Sequence, residues 1–364
     1  MRADVFDHAL NEMLELQALY FEDGALSEGL ATALKEIAEE NDLGCSQASL
    51  NASLVDHRKG DGDGNGKGAS SLIATMETRG FAVIPNDTDS STADLSQLSE
   101  QCMRAVSAVV KIGLPPSFAF AFDCSWVLLD RHANTIERLG VLGNGGLVIE
   151  PDYNCWRLRS SEERVLEGNK IGDSFSNPHR DLRYDQCHDA ESEQLQAISV
   201  WVPINESGAR LENGAMRCVP IEDDDFFYSP EHPRHMTTDP EICGNAVVLV
   251  AARGECCVWA PSLIHFGGSV LEECQIEPRS SIACTFRAAD AKRCDFNGND
   301  PARIGGRGEG EAEAEGGPKP LARSQLNCLS LETRLSYCAK AVLAYSHWSP
   351  GLPGCDLVAV NKRM

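Results

Sequence analysis

The sequence predicts a mainly β fold with flanking helices, and three observations carry that prediction. From about residue 145 onward, short β segments recur at 147–149, 154–158, 198–204, 215–219, 246–251, 255–259, 269–273 and 281–286. Gly, Pro, Asn and Asp lie between most of them, as turns require. The regular alternation of strands with long helices that marks a parallel α/β sheet is absent. Strands this short and this evenly spaced argue for a sandwich or jelly roll. A chain of 364 residues, 42% of them hydrophobic, can bury one large β-rich core with appendages, or two cores.

Taken in order, residues 4–40 read as two helices. Val5, Ala9, Met13, Leu16 and Tyr20 recur at helical spacing, Gly24 offers a stop, and Ser27 can cap a second helix bearing Leu30, Leu34 and Ile37. Residues 56–70 are a Gly and Asp linker. Within it Asp61-Gly62-Asp63-Gly64-Asn65-Gly66 imitates half of a calcium loop, but position twelve, which needs a bidentate Glu, is Leu72, and position eight is Gly68. A flexible linker is the expected outcome. A folded domain is expected from about Ser71. Met76 to Pro85 reads as a helix end, a glycine turn at Gly80 and a buried strand, and Leu95 to Lys111 reads as a helix with Leu98, Cys102, Val106 and Val109 or Val110 on one face.

Beyond the strands, 301–325 is Gly, Glu and Ala low-complexity sequence, expected to be a surface insertion. Leu331, Leu335, Cys338, Val342 and Tyr345 then form one stripe of a helix that Ser330 can cap and that packs back on the domain. The organisation predicted is therefore a helical N-terminal extension over 1–55, the linker over 56–70, the β domain over 71–300, the insertion over 301–325, and a C-terminal helix and tail over 326–364.

Charge and composition narrow the function. With 55 acidic and 32 basic residues the net charge is −23, which repels phosphate backbones and anionic lipid surfaces. Nucleic acid and membrane partners are therefore not expected. Nor does any run approach the roughly 18 apolar residues that span a bilayer. Fifteen irregularly spaced cysteines, with no Cys-x-x-Cys pair, suit a reduced cytoplasmic protein with free thiols. Cys256 and Cys257 are expected on opposite faces of one strand.

The chemistry concentrates in Asn177-Pro178-His179-Arg180-Asp181-Leu182, read with His265 and Arg279. On a strand, residues i and i+2 share a face, so His179 and Asp181 can hold one ion. Imidazole with carboxylate suits Fe(II) or Mn(II), whereas thiolate would suit zinc or iron–sulfur. His265 follows a strand ending at Pro261 and precedes Phe266-Gly267-Gly268, a corner from which a side chain can aim into a barrel mouth. Arg279 is a fixed cation suited to the far carboxylate of a dicarboxylate co-substrate. His232-Pro233-Arg234-His235 lacks a nearby third ligand for a second metal.

His179-Arg180-Asp181-Leu182-Arg183-Tyr184, then Ile198-Ser199-Val200-Trp201-Val202-Pro203-Ile204, then Glu212-Asn213-Gly214 through Val219-Pro220, then His265 and Arg279, together resemble the phytanoyl-CoA dioxygenase family. Gly80-Phe81-Ala82-Val83-Ile84-Pro85 is similar to that family's N-terminal strand, and the resemblance covers roughly 71–290. It implies a double-stranded β-helix (jelly roll, cupin-like) core with N-terminal and C-terminal helices. It also implies an Fe(II)- and 2-oxoglutarate-dependent dioxygenase that uses O2, with ascorbate as a reductant. By the resemblance, His179, Asp181 and His265 are the catalytic iron ligands, Arg279 holds the 2-oxoglutarate C5 carboxylate, and Trp201 lies beside the co-substrate or is plain core. Related halogenases have a small residue at the Asp181 position, so the carboxylate implies hydroxylation of a small organic or lipid-like substrate, with succinate and CO2 formed.

The sequence departs from the family after Val219-Pro220, where Ile221 to Phe227 replaces the usual Gly-Ser-His. That segment shapes the entrance, so the family's substrate does not carry over. Beyond Arg157, Arg159, Arg180 and Arg183 no basic cluster is present near the motif to hold a CoA phosphate. The alternative reading is a non-catalytic or 2-oxoglutarate-independent jelly-roll protein that binds a metal or ligand. Substrate and oligomeric state are not legible in the sequence.

Overall fold

Alternation of side chains along the strands builds a layered molecule. In the computed structural model, residues 21–22, 25–26, 28–59, 69–86, 92–143, 145–160, 162–163, 177–236, 240–291 and 320–345 are described. Four long helices, α1 (Glu28–Glu40), α2 (Gln47–Lys59), α3 (Ala69–Arg79) and α4 (Thr92–Lys111), precede α5 (Asp123–Leu139). After the strands, α6 (Leu331–Tyr345) closes the described chain. Strands β1 (Phe21–Glu22) and β2 (Ala25–Leu26) form a separate small ribbon.

The main sheet is antiparallel throughout. Its members are β3 (Phe81–Ile84), β4 (Leu147–Ile149), β5 (Asn154–Arg157), β6 (Ala197–Pro203), β9 (Cys256–Trp259), β11 (Ser280–Ala288) and β12 (Leu321–Ala322). Their order is β12-β4-β11-β6-β9-β3, with β5 also paired to β11. A second sheet has β10 (His265–Gly267), β7 (Met216–Cys218) and β8 (Val247–Val248).

The pleat decides which side each residue serves. Ile198, Val200 and Val202 of β6, Cys256 and Val258 of β9, and Ile282, Cys284 and Phe286 of β11 join the core shared with the helices. Trp201 and the β9 pair Cys257 and Trp259 join a second cluster with Met216 and Cys218 of the small sheet. Cys256 and Cys257 thus lie on opposite faces, as expected. The helices cover one face of the large sheet, and the site lies against the other.

Several expectations hold. Leu30, Leu34 and Ile37 are buried on α1, and Leu98, Cys102, Val106 and Val109 are buried on α4. Gly80, at φ +79, ends α3 and leads into β3. Ser330 accepts a hydrogen bond from the Thr333 amide at the start of α6, and Leu335 and Cys338 are buried.

Others are corrected. α2 and α5 were not expected as helices, and more of the described residues lie in helices than in strands. α2 runs to Lys59, into the expected linker, and α3 begins at Ala69. In the 269–273 segment only a single bridge forms, between Val270 and Asn213. Within the expected insertion, β12 extends the large sheet beside β4. The expected helix over 4–20, the calcium-like residues 61–68 and the tract 301–319 lie outside the described residues.

Candidate metal and dicarboxylate site

Three side chains converge where the two sheets meet. One ligand atom from each of His179, Asp181 and His265 lies within 4.8 Å of the others, and no other His, Cys, Asp or Glu trio does so among the described residues. His179 Nε2 is 3.5 Å from Asp181 Oδ1, and His265 Nε2 is 3.6 Å from Asp181 Oδ2.

His179 and Asp181 do not sit on a regular strand, as the i, i+2 reading required. His179 makes a single antiparallel bridge with His265, and Asp181 follows in a bend. The amides of His179 and His265 each donate to the other's carbonyl, at 3.1 and 2.9 Å, and the Asp181 and Leu182 amides both donate to Pro261 O. Backbone pairing of two distant segments, rather than pleat geometry, brings the ligands together. His265 itself opens β10, whose register sets it opposite Cys218 of β7.

Each of the three side chains presents a donor atom that could hold a metal ion. His179 Nδ1 lies 2.8 Å from Asn177 O, and His265 Nδ1 lies 3.0 Å from Leu263 O. Donation from Nδ1–H to those carbonyls leaves Nε2 as the lone-pair nitrogen on both rings. Burial pushes His265 down to about 4, so the ring is neutral at neutral pH. For Asp181, burial acts upward but is outweighed by the two histidines and Ser199, leaving the carboxyl at about 2 and ionised. Ser199 Oγ donates to Asp181 Oδ2 at 3.0 Å.

The inner face of the large sheet carries the rest of the site in rows. Trp259, Ser199 and Thr285 are register partners on β9, β6 and β11 beside the triad. The next inner row is Cys257, Trp201, Ala283 and, on β5, Asn154. Successive inner rows are two residues, about 7 Å, apart along a strand.

Arg279 precedes β11 and is 1% exposed. Its guanidinium carbon lies 5.0 Å from the Trp201 ring centroid, and its Nη1 donates to Ser281 Oγ at 3.0 Å. Among the described residues nothing accepts from its Nε or Nη2, nor from Trp201 Nε1, Trp259 Nε1 or Asn154 Nδ2. Burial draws Arg279 down to about 9, still cationic at neutral pH. One cavity is lined by Asp181, His265, Trp201, Trp259, Asn154 and Arg279 together. All five residues singled out by sequence therefore gather at one place.

Arg287, within β11, is engaged. Its Nε donates to Glu150 at 2.6 Å and its Nη1 to the carbonyls of Ala288 and Ala291. Asn213 of the Asn-Gly turn serves Arg279 indirectly: its carbonyl accepts the Arg279 amide, and its Nδ2 donates to Gly208 O and Glu277 O.

Sequence reasoning missed Ser199, Trp259, Asn154 and Asp152. Ser199 carried a signal, since it lies two residues before Trp201 on the same strand. Trp259 packs against the His265 ring, tilted by 41° and 4.9 Å away, centroid to centroid. Asp152 accepts from the Thr285 amide and hydroxyl, and burial raises it to about 7.

The basic residues near the motif are committed elsewhere. Arg157 pairs with Glu163, Arg180 with Asp224, and Arg183 with Asp185 and Glu231. In the 232–235 segment, His235 Nδ1 lies 2.7 Å from Phe226 O, and its Nε2 accepts from the Tyr184 amide. His235 is thus a satisfied interior histidine rather than a metal ligand. A surface cavity of about 650 Å³ beside α1 and α4 shares no residue with the site. No helix among the described residues is long and apolar enough to cross a membrane.

No family model matches the chain, and no curated protein matches it. Among solved structures it is similar to SnoN, a non-heme alpha ketoglutarate dependent epimerase from nogalamycin biosynthesis. That match has 16% identity, a TM-score of 0.43, and covers 61% of this chain and 81% of SnoN. It is also similar to SnoK, a non-heme alpha ketoglutarate dependent carbocyclase from the same biosynthesis, at 13% identity, covering 66% and 93%, TM-score 0.41. HygX from Streptomyces hygroscopicus, solved with nickel and 2-oxoglutarate bound, matches at 16% identity, covering 63% and 93%, TM-score 0.39. The chemistry of the site therefore rests on this chain's own residues.

Proposed function

We propose that this chain is an Fe(II)- and 2-oxoglutarate-dependent oxygenase of the phytanoyl-CoA dioxygenase kind. Its core would be a double-stranded β-helix over 71–300, and it would hydroxylate a small organic or lipid-like substrate. The observation that carries the reading is that Asp181 and His265, two members of a His-Asp-His trio completed by His179, line one cavity with a buried arginine that has two donors unmet among the described residues. An unmatched buried guanidinium is costly, and a carboxylate ligand would offset that cost.

The residues fit both groups. His179 and His265 offer Nε2 lone pairs, and Asp181 offers an ionised carboxylate, a set suited to Fe(II) with positions left open. Arg279 with Ser281 and Trp201 would receive the far carboxylate. The guanidinium lies over Trp201, and Trp201 is one inner row, about 7 Å along the strand, from Ser199, which bonds Asp181. A five-carbon dicarboxylate has about that reach.

When bound, Fe(II) and 2-oxoglutarate supply oxidation by O2, with release of succinate and CO2. The chain's residues orient and enclose. Ser199 holds Asp181 in its ligating rotamer, the Asn177 and Leu263 carbonyls fix the imidazole tautomers, and Arg279 sets the direction of the dicarboxylate. Trp201, Trp259 and Met216 keep the cavity poor in water. The ion pairs of Arg157, Arg180 and Arg183 favour a substrate without a CoA phosphate, and the free thiols of the core suit a cytoplasmic setting.

Purified protein given Fe(II), ascorbate and 2-oxoglutarate is expected to release succinate, slowly alone and faster with a substrate found in a metabolite library. His179→Ala and Asp181→Ala are expected to abolish that release. Iron binding unchanged by both substitutions would refute the ligand assignment. Turnover that needs no 2-oxoglutarate would favour a different metalloenzyme.

A further inference from the structure

The residue between two of the metal ligands is itself the most heavily bonded side chain near them. Arg180 is buried, with its side chain 1% exposed and that of its partner Asp224 0% exposed. Nη2 donates to Asp224 Oδ2 at 2.6 Å, Nη1 to Ser262 O at 2.5 Å, and Nε to His235 O at 2.5 Å. Those three partners come from two segments. Ser262 lies three residues before the distal ligand His265. Asp224 and His235 belong to the segment that follows β7, which is where the sequence departs from the family it resembles.

That segment is tied to the ligand strand a second time. The Tyr184 amide donates to His235 Nε2 at 3.2 Å, and His235 Nδ1 meets Phe226 O. Asp224 in turn accepts from the Phe226 amide through Oδ1. Residues 179–184 are therefore held by the 261–265 turn on one side and by the 224–235 segment on the other. Among the described residues, the Arg180 side chain bonds to both.

A buried ion pair is an expensive way to obtain stability. Its desolvation cost often exceeds its attraction, and a well-packed apolar pair of similar volume is frequently as stable or more so. What such a pair supplies is directional geometry, here three fixed donors of one planar group. Side chains that orient ligands from outside the metal's own contacts typically hold about 10- to 100-fold in metal affinity.

From this we infer that Arg180 and Asp224 form a positioning clamp: they preset the spacing of His179, Asp181 and His265 for the metal and lock the 221–236 segment to it. The inference rests on the metal reading proposed above. It assigns the replaced segment a role that sequence alone left open.

The test compares wild type, Arg180→Met, the double variant Arg180→Met/Asp224→Leu, and Arg180→Lys, with Co(II) as the metal probe. Thermal unfolding of the metal-free protein reports the fold. Co(II) affinity and the visible absorption of bound Co(II) report the coordination geometry. Arg180→Met strands Asp224 and is expected to lose both stability and affinity. The double variant is expected to regain the unfolding temperature while binding Co(II) about 10- to 100-fold more weakly, with an altered spectrum. Arg180→Lys keeps the charge but not the three-way fork, and is expected to fold and to bind Co(II) more weakly than wild type.

A double variant that binds Co(II) with wild-type affinity and spectrum would overturn the clamp and leave a merely structural pair. If the double variant does not fold, wild-type Co(II) affinity and spectrum in Arg180→Lys would overturn it equally. Failure of the metal reading looks different: wild type takes up no Co(II), or His179→Ala loses none of it, and the clamp falls with the site.

Discussion

At the scale of single residues, Arg279, just before β11, and Arg287, within it, contrast a proposed ligand-binding role with a structural one. Arg279 is buried with Nε and Nη2 unmet among the described residues, while Arg287 is satisfied by Glu150 and two carbonyls. Replacing each with alanine is expected to give opposite signatures. Arg279→Ala removes charge-assisted bonds of about 1.5–3 kcal/mol to an incoming carboxylate, so 2-oxoglutarate affinity should fall by roughly 10- to 150-fold. Iron affinity should stay, since Arg279 touches none of the three ligands. Arg287→Ala strands a buried Glu150 and is expected to cost about 3–5 kcal/mol of stability, with little change in 2-oxoglutarate affinity per folded molecule. Calorimetric titration with 2-oxoglutarate and denaturant unfolding read the two effects separately. The reverse pattern would show that the wrong arginine has been assigned. The sequence pointed to Arg279 through its distance from His265. It could not show that Arg287 is neutralised, because Glu150 is 137 residues away.

At the scale of elements, two unlike faces make a helix legible. α1 and α4 have them, and their apolar stripes are buried as spaced. α5 has them in sequence as well, yet its run from Asp123 to Ala133 is buried on every side, polar Asp123, Asp130, Arg131 and His132 included, so its period was there to read but the burial of its polar residues was not. α2 failed for another reason, because its Ser and Asn residues favour turns and its helix is held by packing against α5. The three-residue strand β10 exists only through its pairing with β7 and the bridge to His179. The convergence of His179, Asp181 and His265 was legible nonetheless, since residue type and order reveal candidate donors even where backbone form is misread. Gly80 was legible as a turn, and the structure adds why it is Gly. At φ +79, a Cβ there would stand 2.7 Å from Leu263 Cδ1 and 2.9 Å from Ile221 Cγ1. Gly80→Ala therefore combines left-handed strain with overpacking, at about 2–4 kcal/mol. Because Leu263 precedes His265 by two residues, part of the loss should appear as weaker metal binding. Retention of wild-type stability and metal affinity in this variant would contradict that coupling.

At the scale of the whole molecule, buried titratable groups give the metal-free protein a defined response to acid. Burial pushes His132, His188 and His265 down to about 4, and His235 is lowered as well. Each is neutral in the fold but takes up a proton in the unfolded chain near pH 6.5. The stability they confer is complete above pH 6.5 and is lost as pH falls toward 4. Asp152 opposes them. Raised to about 7, it binds its proton more tightly in the fold, so its contribution is complete below pH 4 and is lost as pH rises through 7. Around pH 5 the unfolded chain therefore holds a net one to two more protons than the folded one. Stability should fall by roughly 1–2 kcal/mol for each unit of acidification between pH 6.5 and 4. Acid also reduces the net charge of −23 and relieves self-repulsion, so unfolding is best followed at raised ionic strength, where that long-range field is screened. Substituting His132 by glutamine removes one proton from the balance without touching the metal site. Its stability curve should be visibly flatter over this range than that of wild type. A metal-free protein whose unfolding midpoint does not move between pH 6.5 and 4.5 would mean that these histidines are protonated in the fold, and that the neutral His265 required for coordination is not built into it.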